Sequence, residues 1–195
     1  MPGLAVKQLQ REGLGPVELQ VGAGETLALY GASGSGKTLL LRAIADLDPN
    51  QGEVTLGAHA RNKLPAHRWR TLLAYVPPES HWWAETVRPH ADAWDSGMLQ
   101  ALGFTPEVLD WEIRRLSSGE RQRLALLRAL SRQPAGLLLD EPTANLDEDN
   151  THRIEALVRD YQRKHQAPVI WVSHDEGQRK RVAQRVGRMQ GGRLQ

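Results

Sequence analysis

The 195-residue chain contains no cysteine. Disulfides and thiolate metal sites are therefore excluded, which fits a reducing compartment. Excess charge of one sign is missing as well. Twenty-five Lys and Arg face 23 Asp and Glu, a formal net charge of +2. So even a balance does not carry the basic footprint of a nucleic-acid binder, and no nucleic acid is expected as a partner. Long apolar runs are absent: nothing approaches the roughly 20 apolar residues of a membrane span. The opening MPGLAVKQLQREGLG lacks the apolar run of a signal peptide. Work at a membrane therefore has to pass through a partner. Aromatic residues make up only 5% of the chain, and none precedes Tyr30.

What is present reads as an ordinary globular composition, 40% hydrophobic and 25% charged. The length suits one domain with a substantial core. Short apolar runs alternate with helical patterns, which predicts an α/β domain with a mainly parallel sheet flanked by helices. Core strands are expected at Thr26–Tyr30, Leu72–Val76, Leu137–Asp140 and Val169–Ser173. Helices are expected over Thr38–Asp46, Gly119–Ser131, Glu148–His165 and Asp175–Ala183. In the long helix, Ile154, Leu157, Val158 and Tyr161 recur at the spacing of one buried face. In Gly119–Ser131, Leu126, Leu127 and Leu130 lie to one side, with Arg121 and Arg128 roughly opposite. The segment Pro77–Leu116 holds Pro77, Pro78, Pro89, Pro106 and four tryptophans. It reads as a small, mostly helical insertion, about 78–117, within a single domain spanning 1–195.

GASGSGKT, Gly31–Thr38, matches G-x-x-x-x-G-K-[ST] between an expected strand and an expected helix. Gly31, Gly34 and Gly36 let the backbone bend until successive N–H groups converge on phosphate oxygens. Ala32, Ser33 and Ser35 complete that loop, and the helix beginning near Lys37 adds its positive end. Lys37 is expected on the β- and γ-phosphates, and the Thr38 hydroxyl in a Mg²⁺ shell. Downstream, GLLLDEPTANLD brings an apolar run to a close at Asp140, whose carboxylate is expected to hold Mg²⁺ through water. Glu141, turned the other way by strand alternation, is placed to activate a water for attack on the γ-phosphate.

A second phosphate-binding pattern, LSSGERQR, begins at Leu116, far from the first. A GTPase would need N/T-K-x-D after the acidic strand, whereas Asn62-Lys63-Leu64-Pro65 lacks the aspartate and precedes that strand. A small-molecule kinase has no use for LSSGE.

With GASGSGKT, LSSGERQR, LLLDEPTANLD and WVSHD in that order, the chain resembles an ATP-binding cassette (ABC) ATPase over nearly its whole length. The resemblance implies a P-loop fold of ABC type, binding ATP and Mg²⁺ and hydrolysing ATP. It also explains the second phosphate pattern, which would cap the γ-phosphate held by a second copy, so that a homodimer closes head-to-tail over two ATP. Ser117, Ser118, Gly119 and Glu120 would form that signature; Ser118 stands where the family has a glycine and Glu120 where it has glutamine. His174 in WVSHD occupies the place of the family's switch histidine, able to hold the attacking water with Glu141. Asp147 resembles the D-loop aspartate that links the two sites; a plain helix N-cap is the other reading of it, and both can hold.

Two departures stand out. The family's metal-contacting glutamine is replaced by Pro78 in AYVPPES, with Glu79 the nearest substitute. The aromatic that stacks on adenine has no counterpart before Tyr30. Trp82 and Trp83 lie where cassettes receive a short helix of a membrane subunit; they either anchor a permease or pack within the insertion. The resemblance further implies a cytoplasmic subunit held on the inner face of the membrane by an integral-membrane permease. Residues 143–175 and the short insertion look similar to small cassettes that export iron. Two other readings stay open: a non-transport cassette without a membrane partner, and a degenerate cassette acting as a nucleotide-dependent switch. The basic tail RKRVAQRVGRMQGGR reads as a solvated face.

Overall fold

Alternation of apolar and polar residues near the start of the chain builds a sheet outside the strands expected from the longer apolar runs. The computed structural model describes residues 3–195. Strands β1 (Leu4–Arg11) and β2 (Leu14–Val21) bury Leu4, Val6 and Leu9, and Leu14, Val17, Leu19 and Val21. They pair antiparallel with each other, and β1 pairs on its other side with β4 (Gln51–Leu56), which carries the short β5 (His59–Ala60). A bulge hides the period in β1: the register shifts after Val6, and Gln8 takes φ +48°. Gly52 lies opposite at φ +107°, where a Cβ would sit 2.4 Å from the Gln8 carbonyl oxygen.

The second sheet has the order β10-β9-β3-β8-β7-β6. It consists of β3 (Thr26–Tyr30), β6 (Leu73–Val76), β7 (Gly136–Asp140), β8 (Val169–Val172), β9 (Arg185–Gln190) and β10 (Arg193–Leu194). Every pairing in it is parallel except that of β10 with β9. Strand alternation splits the core into two layers. Leu138, Ile170 and Val172 join α1 (Lys37–Ile44) and the antiparallel sheet on one face. Leu137, Leu139, Val169 and Trp171 pack on the other face against α4 (Ser118–Leu130) and α5 (Glu148–His165). Ile154, Leu157, Val158 and Tyr161 of α5 are all buried there.

The remaining helices are α2 (Ala66–Leu72), α3 (Ser96–Ala101) and α6 (Glu176–Val182). Leu72, expected to open a strand, instead ends α2, which runs straight into β6. The far end of α1 is pinned: Trp69 Nε1 donates to the Ile44 carbonyl at 2.9 Å and Arg61 Nη1 to that of Ala43 at 2.9 Å. Residues 77–116 hold α3 and three single-turn or slightly longer 3₁₀ segments, Arg88–His90, Pro106–Asp110 and Ile113–Arg115. Pro89 and Pro106 sit in first turns, where the missing N–H costs no bond. The basic tail is not simply a solvated face, because it forms β9 and β10 and buries Met189. Among the described residues no helix is long and apolar enough to cross a membrane.

Candidate functional site

The loop Gly31–Gly36 joins β3 to α1 and takes the left-handed backbone that its glycines permit, with φ +155°, +74° and +103° at Gly31, Gly34 and Gly36. At Gly31 space matters as much as φ. A Cβ there would lie 2.2 Å from the Met189 carbonyl oxygen and 2.7 Å from Ser35 Oγ. Lys37 Nζ arches back over the loop and donates to the carbonyls of Gly31 and Ala32 at 2.9 and 3.1 Å. Ser35 Oγ is buried with no hydrogen-bond partner, a polar atom of the cradle left for an incoming group. Ala32, Ser33 and Gly34 are exposed at the loop's crest.

The cradle meets the acidic strand directly: Thr38 Oγ1 donates to Asp140 Oδ2 at 2.8 Å. Tyr75 on β6 donates its hydroxyl to the same oxygen at 3.1 Å. Burial pushes the Asp140 carboxyl above its ordinary value, while the hydrogen bonds from Thr38 and Tyr75 draw it back. Burial and the Asp140 carboxylate in turn push the Tyr75 phenol up. Tyr75 escaped sequence reading because nothing in an apolar strand separates an inward tyrosine from a core residue. The hydroxyl of Thr38 and the carboxylate of Asp140 are hard oxygen donors, and donors of this kind fit Mg²⁺. Exposed Glu79 and Pro78 contribute no hydrogen bond to them among the described residues.

Glu141 follows β7 with φ +50°. Its direction comes from this left-handed turn beyond the strand's end and not from strand alternation, and for a non-glycine residue the conformation costs on the order of 1 kcal/mol or more. The turn brings Oε1 to 2.9 Å from Nε2 of His174, whose side chain is half-exposed. The His174 backbone is held by Arg179, whose Nη1 donates to the carbonyls of Ser173 and His174 at 3.1 and 2.8 Å.

Ser117–Glu120 open α4 as a capping box. Ser117 Oγ accepts from the Glu120 N–H at 3.2 Å, and Glu120 Oε2 accepts from both the N–H and the hydroxyl of Ser117 at 2.8 Å. Ser117 and Ser118 are exposed. Among the described residues no hydrogen bond joins this turn to Gly31–Thr38. A Cβ on Gly119 would instead meet Leu146 at 2.8 Å, so the turn packs on the loop before α5. Asp147 caps α5, accepting from the Asn150 N–H at 2.8 Å.

The two adjacent tryptophans differ. Both pack on His90, with ring centroids 4.7 Å away for Trp82 and 4.4 Å for Trp83, but Trp82 is partly buried whereas Trp83 is 67% exposed. Arg128 lies over both rings, 4.6 Å from the Trp82 centroid and 5.0 Å from that of Trp83, rather than on the solvent side of α4. Trp83 borders a cavity of about 250 Å³ with Arg70, Arg128, Arg132, Leu47 and Pro77.

A family model described as ABC transporter matches residues 14–144. In sequence the chain is similar to the aliphatic sulfonates import ATP-binding protein SsuB 3 of Paraburkholderia xenovorans. The two are 38% identical over 182 residues, covering 91% of this chain and 71% of the relative. The Fe(3+) ions import ATP-binding protein FbpC of Streptomyces avermitilis is 33% identical over 198 residues, covering 93% of this chain and 56% of its own length. Among solved structures, the ATP-binding subunit of an ABC transporter superposes with a TM-score of 0.88 at 22% identity, covering 98% of this chain and 87% of that one. A dimeric post-hydrolysis structure of an ATP-binding cassette bound to ADP and Pi gives 0.83 at 23%, covering 98% and 96%. At such identities these two likenesses concern the fold.

Proposed function

The chain belongs to the ABC transporter family and is an ATP-binding ATPase; from that premise we propose that two copies close head-to-tail over two MgATP and drive a separate membrane permease. The observation that carries the reading is the 2.8 Å hydrogen bond from Thr38 Oγ1 to Asp140 Oδ2, which brings the phosphate loop and the acidic strand to one point. Gly31–Thr38 bind the triphosphate, with Lys37 leaving its loop carbonyls for the β- and γ-phosphates. Thr38 and Asp140 hold Mg²⁺, which supplies charge neutralisation along the phosphates. Glu141 accepts the proton of a water that attacks the γ-phosphorus, ADP departs, and His174 keeps Glu141 and the water aligned.

Ser117 and the backbone of Gly119 face the γ-phosphate of the second copy, which is consistent with their lack of hydrogen bonds to their own chain's loop. Asp147 sits between the two centres and also caps α5. ATP closes the pair and phosphate release opens it; this cycle is the mechanical output delivered to the permease. Trp83 and the arginine-lined cavity beside it are the assigned docking place, at the inner face of the membrane. Both sequence relatives bear import names, so we read the transport as uptake, against the export expected from the resemblance of residues 143–175.

The experiment is size-exclusion chromatography of Glu141→Gln. With saturating MgATP this variant runs as a dimer and with ADP as a monomer. A strict monomer under MgATP overturns the proposal.

A further inference from the structure

The Glu141–His174 pair depends on two separate loops, one after β7 and one after β8. Between them lies a buried side chain to which no role has been given. Gln178, in the first turn of α6, is only 3% exposed. Its Nε2 donates to Thr143 Oγ1 at 2.9 Å and to Glu155 Oε1 at 3.0 Å. Its Oε1 accepts from Trp171 Nε1 at 3.3 Å. Chemistry fixes the orientation of this amide. The indole can only donate and a carboxylate can only accept, so the oxygen must face Trp171 and the nitrogen Glu155. Glu155, also 3% exposed, is held from its other side by Arg181, with Nε at 3.0 Å and Nη2 at 2.8 Å. The α6 start is further tied by Asp175, which caps the Gln178 N–H.

We propose that Gln178 is a positioning residue for hydrolysis: through Thr143, two residues after Glu141, it locks the acidic loop to the helix that begins just after His174. The inference rests on the reading of Glu141 and His174 given above. The network is closed, each buried donor meeting an acceptor, and closed buried networks hold one geometry in place of several. An apolar residue of equal size at position 178 would fill the space yet leave the Thr143 hydroxyl and the Trp171 N–H unpaired. Glutamate there would set a second buried carboxylate against Glu155. Neither substitute performs the same task, so the requirement is for an amide.

The test uses Thr143→Val and Thr143→Ser in the full chain, each alone and combined with His174→Ala. Thr143→Val severs the lock while leaving the Gln178–Glu155 and Glu155–Arg181 hydrogen bonds in place. ATP turnover and the KM for ATP are measured by phosphate release. Thr143→Val is expected to lower kcat about tenfold, the scale of a small misplacement of reacting groups, with KM unchanged and Tm lowered by only a few degrees, because one Gln178 Nε2 hydrogen loses its acceptor. Thr143→Ser, which keeps the hydroxyl, restores kcat. In the His174→Ala background Thr143→Val has no further effect, because the geometry it controls is already gone. Wild-type kcat in Thr143→Val, or the same fractional loss with and without His174, overturns the inference while leaving the hydrolysis reading intact. Wild-type kcat in His174→Ala overturns the hydrolysis reading itself, and the inference with it.

Discussion

Nε2 of His174 stands 2.9 Å from Oε1 of Glu141 across the gap between two strand ends. A hydrogen bond at that distance needs the proton on Nε2, so the ring presents a donor to the carboxylate and leaves one carboxylate oxygen to accept from water. Loss of either group is expected to strike chemistry rather than binding. Glu141→Gln and His174→Ala should each lower kcat by about a hundredfold or more while the affinity for a fluorescent ATP analogue stays near wild type. Phosphate release and equilibrium binding, measured on the same preparation, separate the two effects.

Tyr75 offers a test with a definite pH sign. Its hydroxyl stabilises the ionised form of Asp140, whose carboxyl burial already holds above its ordinary value. Tyr75→Phe removes that stabilisation and raises the carboxyl further. As the pH falls, the variant therefore loses its ionised Asp140 earlier than wild type does. The Mg²⁺ concentration for half-maximal turnover should rise by roughly ten- to a hundredfold, in line with the roughly 1.5–3 kcal/mol of a hydrogen bond to a charged group. The gap should widen as the pH falls; a gap independent of pH would deny Asp140 this part.

Glu120 makes a distinct claim about dimer closure. Its carboxylate accepts from the Ser117 hydroxyl, and in the proposed dimer it would compete with the second copy's phosphate for that proton and add negative charge beside it. Glu120→Gln preserves the capping box, since glutamine serves equally there. The ATP-induced dimer should therefore tighten, and by less at high salt, where such repulsion is screened. Ser117→Ala should cost about 1 kcal/mol of stability through the lost cap and abolish the dimer. Sedimentation at two ionic strengths reads the dimer, and denaturant unfolding reads the lost cap.

Base selectivity should be weak. The β1–β2 turn approaches α1, for a Cβ on Gly13 would lie 3.4 Å from Leu39 Cδ1, and the turn carries no aromatic ring. Stacking of a base on an aromatic is worth roughly 1–3 kcal/mol, and here that contribution is missing. ATP and GTP should be hydrolysed with kcat/KM values within a few-fold. A preference of a hundredfold would reveal another group that reads adenine.

The tryptophan pair should separate cleanly. Both rings meet His90 and Arg128, but only Trp82 is partly buried against the core, so Trp82→Ala should cost a few kcal/mol, as loss of a packed aromatic does. Trp83, mostly exposed, should cost little, and its removal should instead reduce recovery of the permease in co-purification. Equal recovery with and without Trp83 would relocate the docking place.

The parallel sheet and the helices α4 and α5 were legible because each residue run carries a pattern with one meaning: Leu137–Leu139 as a buried strand, Ile154 to Tyr161 as one helix face. The antiparallel sheet was obscured by chemistry of its own. The bulge at Gln8 breaks the alternation of β1 between Val6 and Leu9, which leaves the even period readable only in short stretches such as Val17, Leu19 and Val21. The phosphate loop was spelled in consecutive letters, and its residues do converge in space. Gln178 and Glu155 were not legible, because a buried polar residue on an amphipathic helix looks like a solvated one until its partner 23 positions away is seen; Tyr75 in its apolar strand looks like core until Asp140, 65 positions away, is seen.

The turn Gly191–Gly192 belongs to the cradle as surely as the glycine loop does. The Gly192 N–H donates to the Ser35 carbonyl at 3.0 Å, its own carbonyl accepts from the Gly15 N–H at 2.8 Å, and the Met189 carbonyl crowds the place a Gly31 side chain would need. A motif printed as eight adjoining letters is thus shored up by strands from opposite extremities of the polypeptide. Damage at residue 192 would be felt in the glycine loop through Ser35 and Gly36 although it lies far outside the motif, and a screen confined to the motif would miss its own foundation.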